Sequence, residues 1–259
     1  MKLAIQLSLG FLFFLGSSCQ PKKEKAALIT NQKTANKATQ IITEAIQKHG
    51  GDLYKKASYR FNFRGKEYSF TNNNDEYKYT VKSTSENQQT LDILENGEFS
   101  RQKNQELVTI NTDESAKKGS ALNSVIYFAL LPYKLNDMAV NKLYKGAVTI
   151  HNQTYDAIQV TFNEEGGGED HQDVFYYWIN QTTKTMDFLA YKYEVNGGGI
   201  RFRSAYNPRN VEGILFQNYI NYKAPKNTSM DVLPELFEKG QLEEVSKIEI
   251  DNITKLSHP

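Results

Sequence analysis

No segment of the chain narrows its fold more than residues 172–180, QDVFYYWIN. In an extended chain Phe175, Tyr177 and Ile179 point to one side, and Val174, Tyr176 and Trp178 to the other. A strand that is apolar on both faces has to be covered on both, so it belongs inside a layered structure. Segment 184–195 makes the same demand: Leu189, Tyr191, Tyr193 and Val195 oppose Met186, Phe188 and Ala190.

Alternation continues through much of the chain. Ala57, Tyr59, Phe61 and Phe63 share a face, followed by Tyr68/Phe70 and Tyr77/Tyr79/Val81. Arg64-Gly65-Lys66 and Asn72-Asn73-Asn74-Asp75 are the turn signals between these strands. Further strands are expected near 146–151, 153–163, 200–207 and 213–222, with a last one over 244–254. Helical spacing is confined to a few places. Ala38, Ile41, Ile42, Ala45 and Ile46 mark an amphipathic helix ending at Gly50-Gly51. Residues 121–131 are apolar nearly all round and stop at Pro132, which predicts a buried helix. Asn136 to Tyr144 reads as a short polar helix, and 231–239 as another short one. The expected fold is mainly β. It is a single strongly curved antiparallel sheet, a half-barrel of about ten or eleven strands in meander order, with two or three helices covering its concave face.

The N-terminus carries a separate message. Lys2 precedes a run from Leu3 to Leu15 that is almost wholly apolar, too short to span a bilayer and suited to a signal peptide. Gly16, Ser17 and Ser18 then lead into Cys19, a pattern that resembles the lipobox of bacterial lipoproteins, in which the cysteine is acylated. Cys19 is the only cysteine, so no internal disulfide competes for its thiol. Each acyl chain contributes roughly 0.8 kcal/mol per buried methylene, so two or three would hold the protein at a membrane. The expected organisation is a signal peptide over 1–18, a polar, Lys-rich, flexible lipid-anchored tether over 19–36, and one β domain over 37–259. This places the protein in the cell envelope, at the outer membrane, on its periplasmic or its surface face.

Charge removes some partners. The chain has 31 Lys/Arg against 30 Asp/Glu, and with Lys2 in the leader the remainder is formally neutral. Nucleic acid is therefore not an expected partner, because that would need a basic stripe. The domain is expected to be a monomer. HExxH, CxxC, GxSxG and the GxxxxGK phosphate loop are all missing from the sequence. A Schiff-base aldolase would need a closed barrel of alternating strands and helices, and the chain lacks that alternation.

Meander order puts the loops EEGGGEDHQD (164–173) and NGGG (196–199) on one rim. Glu169, Asp170, His171 and Asp173 gather there, near Arg201 and Arg203, which share a strand face by period two. Such a rim offers carboxylates and carbonyls for Ca2+ at 164–173, or His171 with the acids Glu169, Asp170 and Asp173 for a transition metal, or the arginine pair for an anionic headgroup. The plainer alternative is two solvated hairpin tips whose acids pair with Arg201 and Arg203.

IITEAIQKHGG, followed by a strand pair and a long meander with a buried helical insertion, resembles the superfamily of outer-membrane lipoprotein carriers and their receptors. SVIYFALLPYKLND, VTFNEEGGGEDHQDVFYYWIN, GGGIRFRSAYNPR and FQNYINYK are similar to an uncharacterised Bacteroidetes lipoprotein family, a domain of unknown function. The resemblance implies a half-barrel with an apolar interior and carries over no catalytic residues. Two functions are expected to compete. One is a carrier holding a lipid or acyl chain in a cavity, with Ala129, Tyr191, Arg201 and Arg203 as ligand-binding residues. The other is an envelope hydrolase or lyase, with His171 as base and Asp173 or Glu169 as orienter or metal ligand. A sealed interior would leave a surface scaffold.

Overall fold

The computed structural model describes residues 21–165, 173–194 and 197–257. The chain opens with helix α1, Pro21–His49, which begins inside the segment expected as a tether. Ala38, Ile41, Ile42, Ala45 and Ile46 form its buried stripe, as their spacing requires. Gly50 and Gly51 end it with φ of 154° and 54°, and a Cβ on Gly51 would stand 2.6 Å from the Gln47 side chain.

Six strands follow: β1 (Ser58–Phe63), β2 (Lys66–Asn73), β3 (Glu76–Ser85), β4 (Gln88–Glu95), β5 (Glu98–Lys103) and β6 (Glu106–Val108). Their hairpins are tight because both central residues of most turns take positive φ: Arg64-Gly65, Glu86-Asn87, Asn96-Gly97 and Asn104-Gln105. Helix α2, Thr112–Ala129, then crosses to a second run of strands. These are β7 (Val140–Ile150), β8 (Gln153–Phe162), β9 (Val174–Asn180), β10 (Met186–Tyr193), β11 (Gly199–Val211) and β12 (Ile214–Ala224). Helix α3 (Leu233–Glu238), β13 (Glu243–Ile248) and β14 (Asp251–Lys255) complete the chain.

Every described strand pair is antiparallel, and the fold is mainly β with few helices. The expected single curved sheet of ten or eleven strands is not what forms. Two seven-stranded sheets do, ordered β14-β1-β2-β3-β4-β5-β6 and β13-β12-β11-β10-β9-β8-β7, and neither closes on itself. The division has two causes. The α2 crossover interrupts the meander, so β7 starts at the far edge of the second sheet. At the other end the segment expected as one strand, 244–254, splits, so that β13 pairs with β12 and β14 with β1. The polar helix expected over Asn136–Tyr144 is also absent. A 3-10 turn over Tyr133–Asn136 buries Leu135, and β7 then pairs with β8 from Val140↔Phe162 onward.

Strand β9 is covered twice, as its composition demands. Phe175, Tyr177 and Ile179 pack with α1 and with Leu189 and Tyr219 on the inner face of the second sheet. Tyr176 and Trp178 pack on its outer face with Phe188, Phe202 and the α3 residues Leu233 and Phe237. A third cluster joins the sheets: Tyr59, Phe61, Phe70 and Tyr79 of the first meet Phe216 of β12 and Leu122 and Ile126 of α2.

Candidate functional site

Helix α2 is seated on the first sheet by its own first turn. Asn111 caps it, accepting a hydrogen bond from the Glu114 backbone N–H at 2.8 Å. The Glu114 carboxylate accepts from Arg101 Nη1 at 2.8 Å, and Arg101 also donates to both oxygens of Asp92 at 2.6 and 2.9 Å. From there only Gly119, Leu122 and Ile126 are fully buried along the helix. The helix expected to be enclosed all round is therefore open on one flank, where Val125, Phe128 and Ala129 are half-buried beside a cavity of about 430 Å3. That volume lies within the range of small-molecule sites.

The opposite wall is the inner face of the second sheet. Period two on β9, β10 and β11 brings Phe175, Tyr191, Arg201 and Arg203 to the same side, and Tyr219 of β12 joins them. Arg64 reaches the rim from the β1–β2 turn, so both sheets contribute. Arg203 is buried with its guanidinium carbon 4.0 Å from the Phe128 ring centre and 5.2 Å from that of Tyr191. Its Nη2 donates to the Tyr191 hydroxyl at 3.0 Å. Arg201 lies over Tyr193 at 5.3 Å and donates to the Ile200 carbonyl at 3.2 Å. Among the described residues no carboxylate forms an ion pair with Arg64, Arg201 or Arg203, so the expected cross-strand pairing of acids with the two strand arginines is not seen there. Asp173 is buried, lines the same cavity and is itself engaged in a contact.

Burial raises the phenols in and beside this wall. Burial pushes Tyr219 up to about 12, and raises Tyr177 well above the usual phenol range while it shares a 3.2 Å hydrogen bond with Tyr127. A second cavity of about 650 Å3 lies across α2, between Leu94 and Phe99 of the first sheet and the helix residues Ser115, Gly119 and Asn123. Ser124, Phe128 and Phe175 line both cavities.

The structure thus gathers Ala129, Asp173, Tyr191, Arg201 and Arg203 around one space. Glu169, Asp170 and His171 lie outside the described residues, as does Cys19. Among the described residues no three of His, Cys, Asp and Glu come together as a metal-binding group. Sequence reasoning missed Phe128, Phe175 and Arg64 as site residues. Phe175 was legible, because it shares the phase of Tyr177. Phe128 was not, because an all-apolar helix gives no sign of which side it leaves open.

Residues 26–250 match the model of a family of unknown function, DUF6503. The chain belongs to this family. Its fold is similar to that of a LolA superfamily protein from Nitrosomonas europaea, with a TM-score of 0.50 and 9% identity over 86% of this chain and 95% of that one. A DUF1329 family protein from Desulfovibrio piger aligns with a TM-score of 0.45 and 9% identity, over 86% of this chain and 93% of that one. No curated protein matches the sequence significantly. At such identity the first likeness establishes a LolA-like fold and nothing about activity. Within the described residues no helix is long and apolar enough to cross a membrane.

Proposed function

We propose that this DUF6503 protein binds a hydrophobic ligand, a lipid or acyl chain, in the cavity beside α2, and that acylated Cys19 holds it at the outer membrane. The observation that carries the reading is the half-buried flank of α2. Val125, Phe128 and Ala129 face Phe175 and Tyr219 across a space of about 430 Å3 that the core leaves unfilled. A cleft of this size between two sheets, with aromatic and aliphatic side chains over much of its wall, suits a largely apolar guest. The sequence resemblance to lipoprotein carriers agrees with this, and so does the signal-like leader ending at Cys19.

Titration of the purified protein with a fluorescent fatty-acid or phospholipid probe tests the reading. Saturable uptake with a stoichiometry near one is expected. Folded protein that takes up none of a panel of lipids would overturn it and leave a scaffold with a sealed core.

A further inference from the structure

The cavity that would receive an apolar chain also holds a buried cation that makes no ion pair among the described residues. Arg203 is more than nine-tenths buried on the inner face of β11. A guanidinium has five N–H donors and is desolvated at considerable cost unless an anion or several acceptors receive them. Here one donor reaches the Tyr191 hydroxyl, the faces stack on Phe128 and Tyr191, and Nε is buried with no acceptor. Arg201 lines the same wall two residues earlier and Arg64 stands at the exposed rim, neither in an ion pair among the described residues. Besides these three cations the described cavity lining holds one carboxylate, Asp173.

We infer that the ligand is an anionic amphiphile, an oxyanion on an apolar chain, with its carboxylate or phosphate on Arg203 and Arg201 and its chain along Phe128, Phe175 and Tyr219. This rests on the carrier reading and specifies its ligand class. A planar guanidinium suits the paired oxygens of either head, and the Phe128 ring together with the Tyr191 hydroxyl restrains its position. The aromatic faces stabilise the cation, and apart from the donor held by the Tyr191 hydroxyl its in-plane N–H groups have no acceptor among the described residues. Those donors are the part of Arg203 that a ligand oxyanion would take.

Four probes separate the possibilities: dodecanoate, dodecyl phosphate and dodecanol share one tail, and inorganic phosphate has none. With the full chain, the two anionic amphiphiles should displace a fluorescent fatty acid at least tenfold more strongly than dodecanol. Arg203→Met should remove most of that preference. Arg201→Met should reduce the preference less, and Arg203→Lys should retain part of it. Equal displacement by dodecanol and the anionic probes on the wild type would overturn the head assignment and leave the carrier reading intact. Failure of every tailed probe would overturn both. Inorganic phosphate competing as well as dodecyl phosphate would overturn the amphiphile in favour of a small-anion site. The preference is measured on the wild type, so poor folding of Arg203→Met does not protect the proposal.

Discussion

The Arg203 guanidinium lies 4.0 Å from the centre of the Phe128 ring, a contact that ties β11 of the second sheet to α2, the helix seated on the first. A cation over an aromatic face contributes about 2 kcal/mol when both are desolvated, and less at a wet site. Phe128 also lines the cavities on both sides of α2. The same ring therefore orients the charge and forms part of the wall of both spaces.

Phe128→Leu should keep the helix apolar but release the guanidinium. We expect a loss of about 1–2 kcal/mol in stability to urea, from lost ring packing and stacking. Affinity for an apolar probe should change less than affinity for an anionic one. A variant that loses both equally would mean that Phe128 serves only as a wall.

Ala129→Trp should fill the cavity from the α2 side. Ala129 is half-buried and lines the void, so the indole has space and overpacking strain stays small, about 1 kcal/mol or less. Saturable lipid uptake should fall at least tenfold while the thermal transition moves little. Unchanged uptake would put the ligand elsewhere.

The Arg101–Asp92–Glu114 cluster sets the position of α2. The Arg101 and Asp92 side chains are each 12% exposed, so removing one leaves its partner nearly dry. Arg101→Met should cost about 3 kcal/mol by urea denaturation, more than a surface ion pair is worth. Lipid uptake should weaken with it, because the open flank of α2 is placed by that end of the helix.

His49 makes stability depend on pH. Its Nε2 accepts from the Met186 backbone N–H at 3.1 Å, and burial drives its pKa down to about 4, against a smaller opposing contribution from the Leu215 backbone. The unfolded chain, titrating near 6.5, binds the proton more readily than the folded one. The stabilising contribution is therefore complete above about pH 6.5 and is lost as pH falls toward 4, an effect on the order of 3 kcal/mol. His49→Gln, whose side-chain carbonyl can accept the same hydrogen bond, should flatten urea-derived stability across that window. An unchanged slope would assign the acid sensitivity to other groups.

Cys19→Ser should abolish incorporation of a fatty-acid probe in the producing cell and leave an uncleaved or soluble product. Undiminished labelling would remove the lipid anchor from the proposal and leave the cavity reading untouched.

Sequence alone determined which side of a strand each residue takes. Period two is local, so the double covering of β9, the shared face of Arg201 and Arg203 and the stripe of α1 could all be read before any contact was known. The hairpin at Arg64-Gly65 was legible for the same reason. Strands β4 to β6 were not, since QQTLDILE and EFSRQK carry few apolar residues and are held by tight turns and ladder pairing with β3. Only the tertiary structure decided that residues 244–254 would divide between two sheets, and that the void would open beside Phe128 and Ala129. Strand partners are chosen across long stretches of chain, and a helix apolar on every side can be buried in several orientations. Which orientation it takes follows from where its ends are fastened, here by Asn111 and the Arg101 cluster at one end and the turn that buries Leu135 at the other.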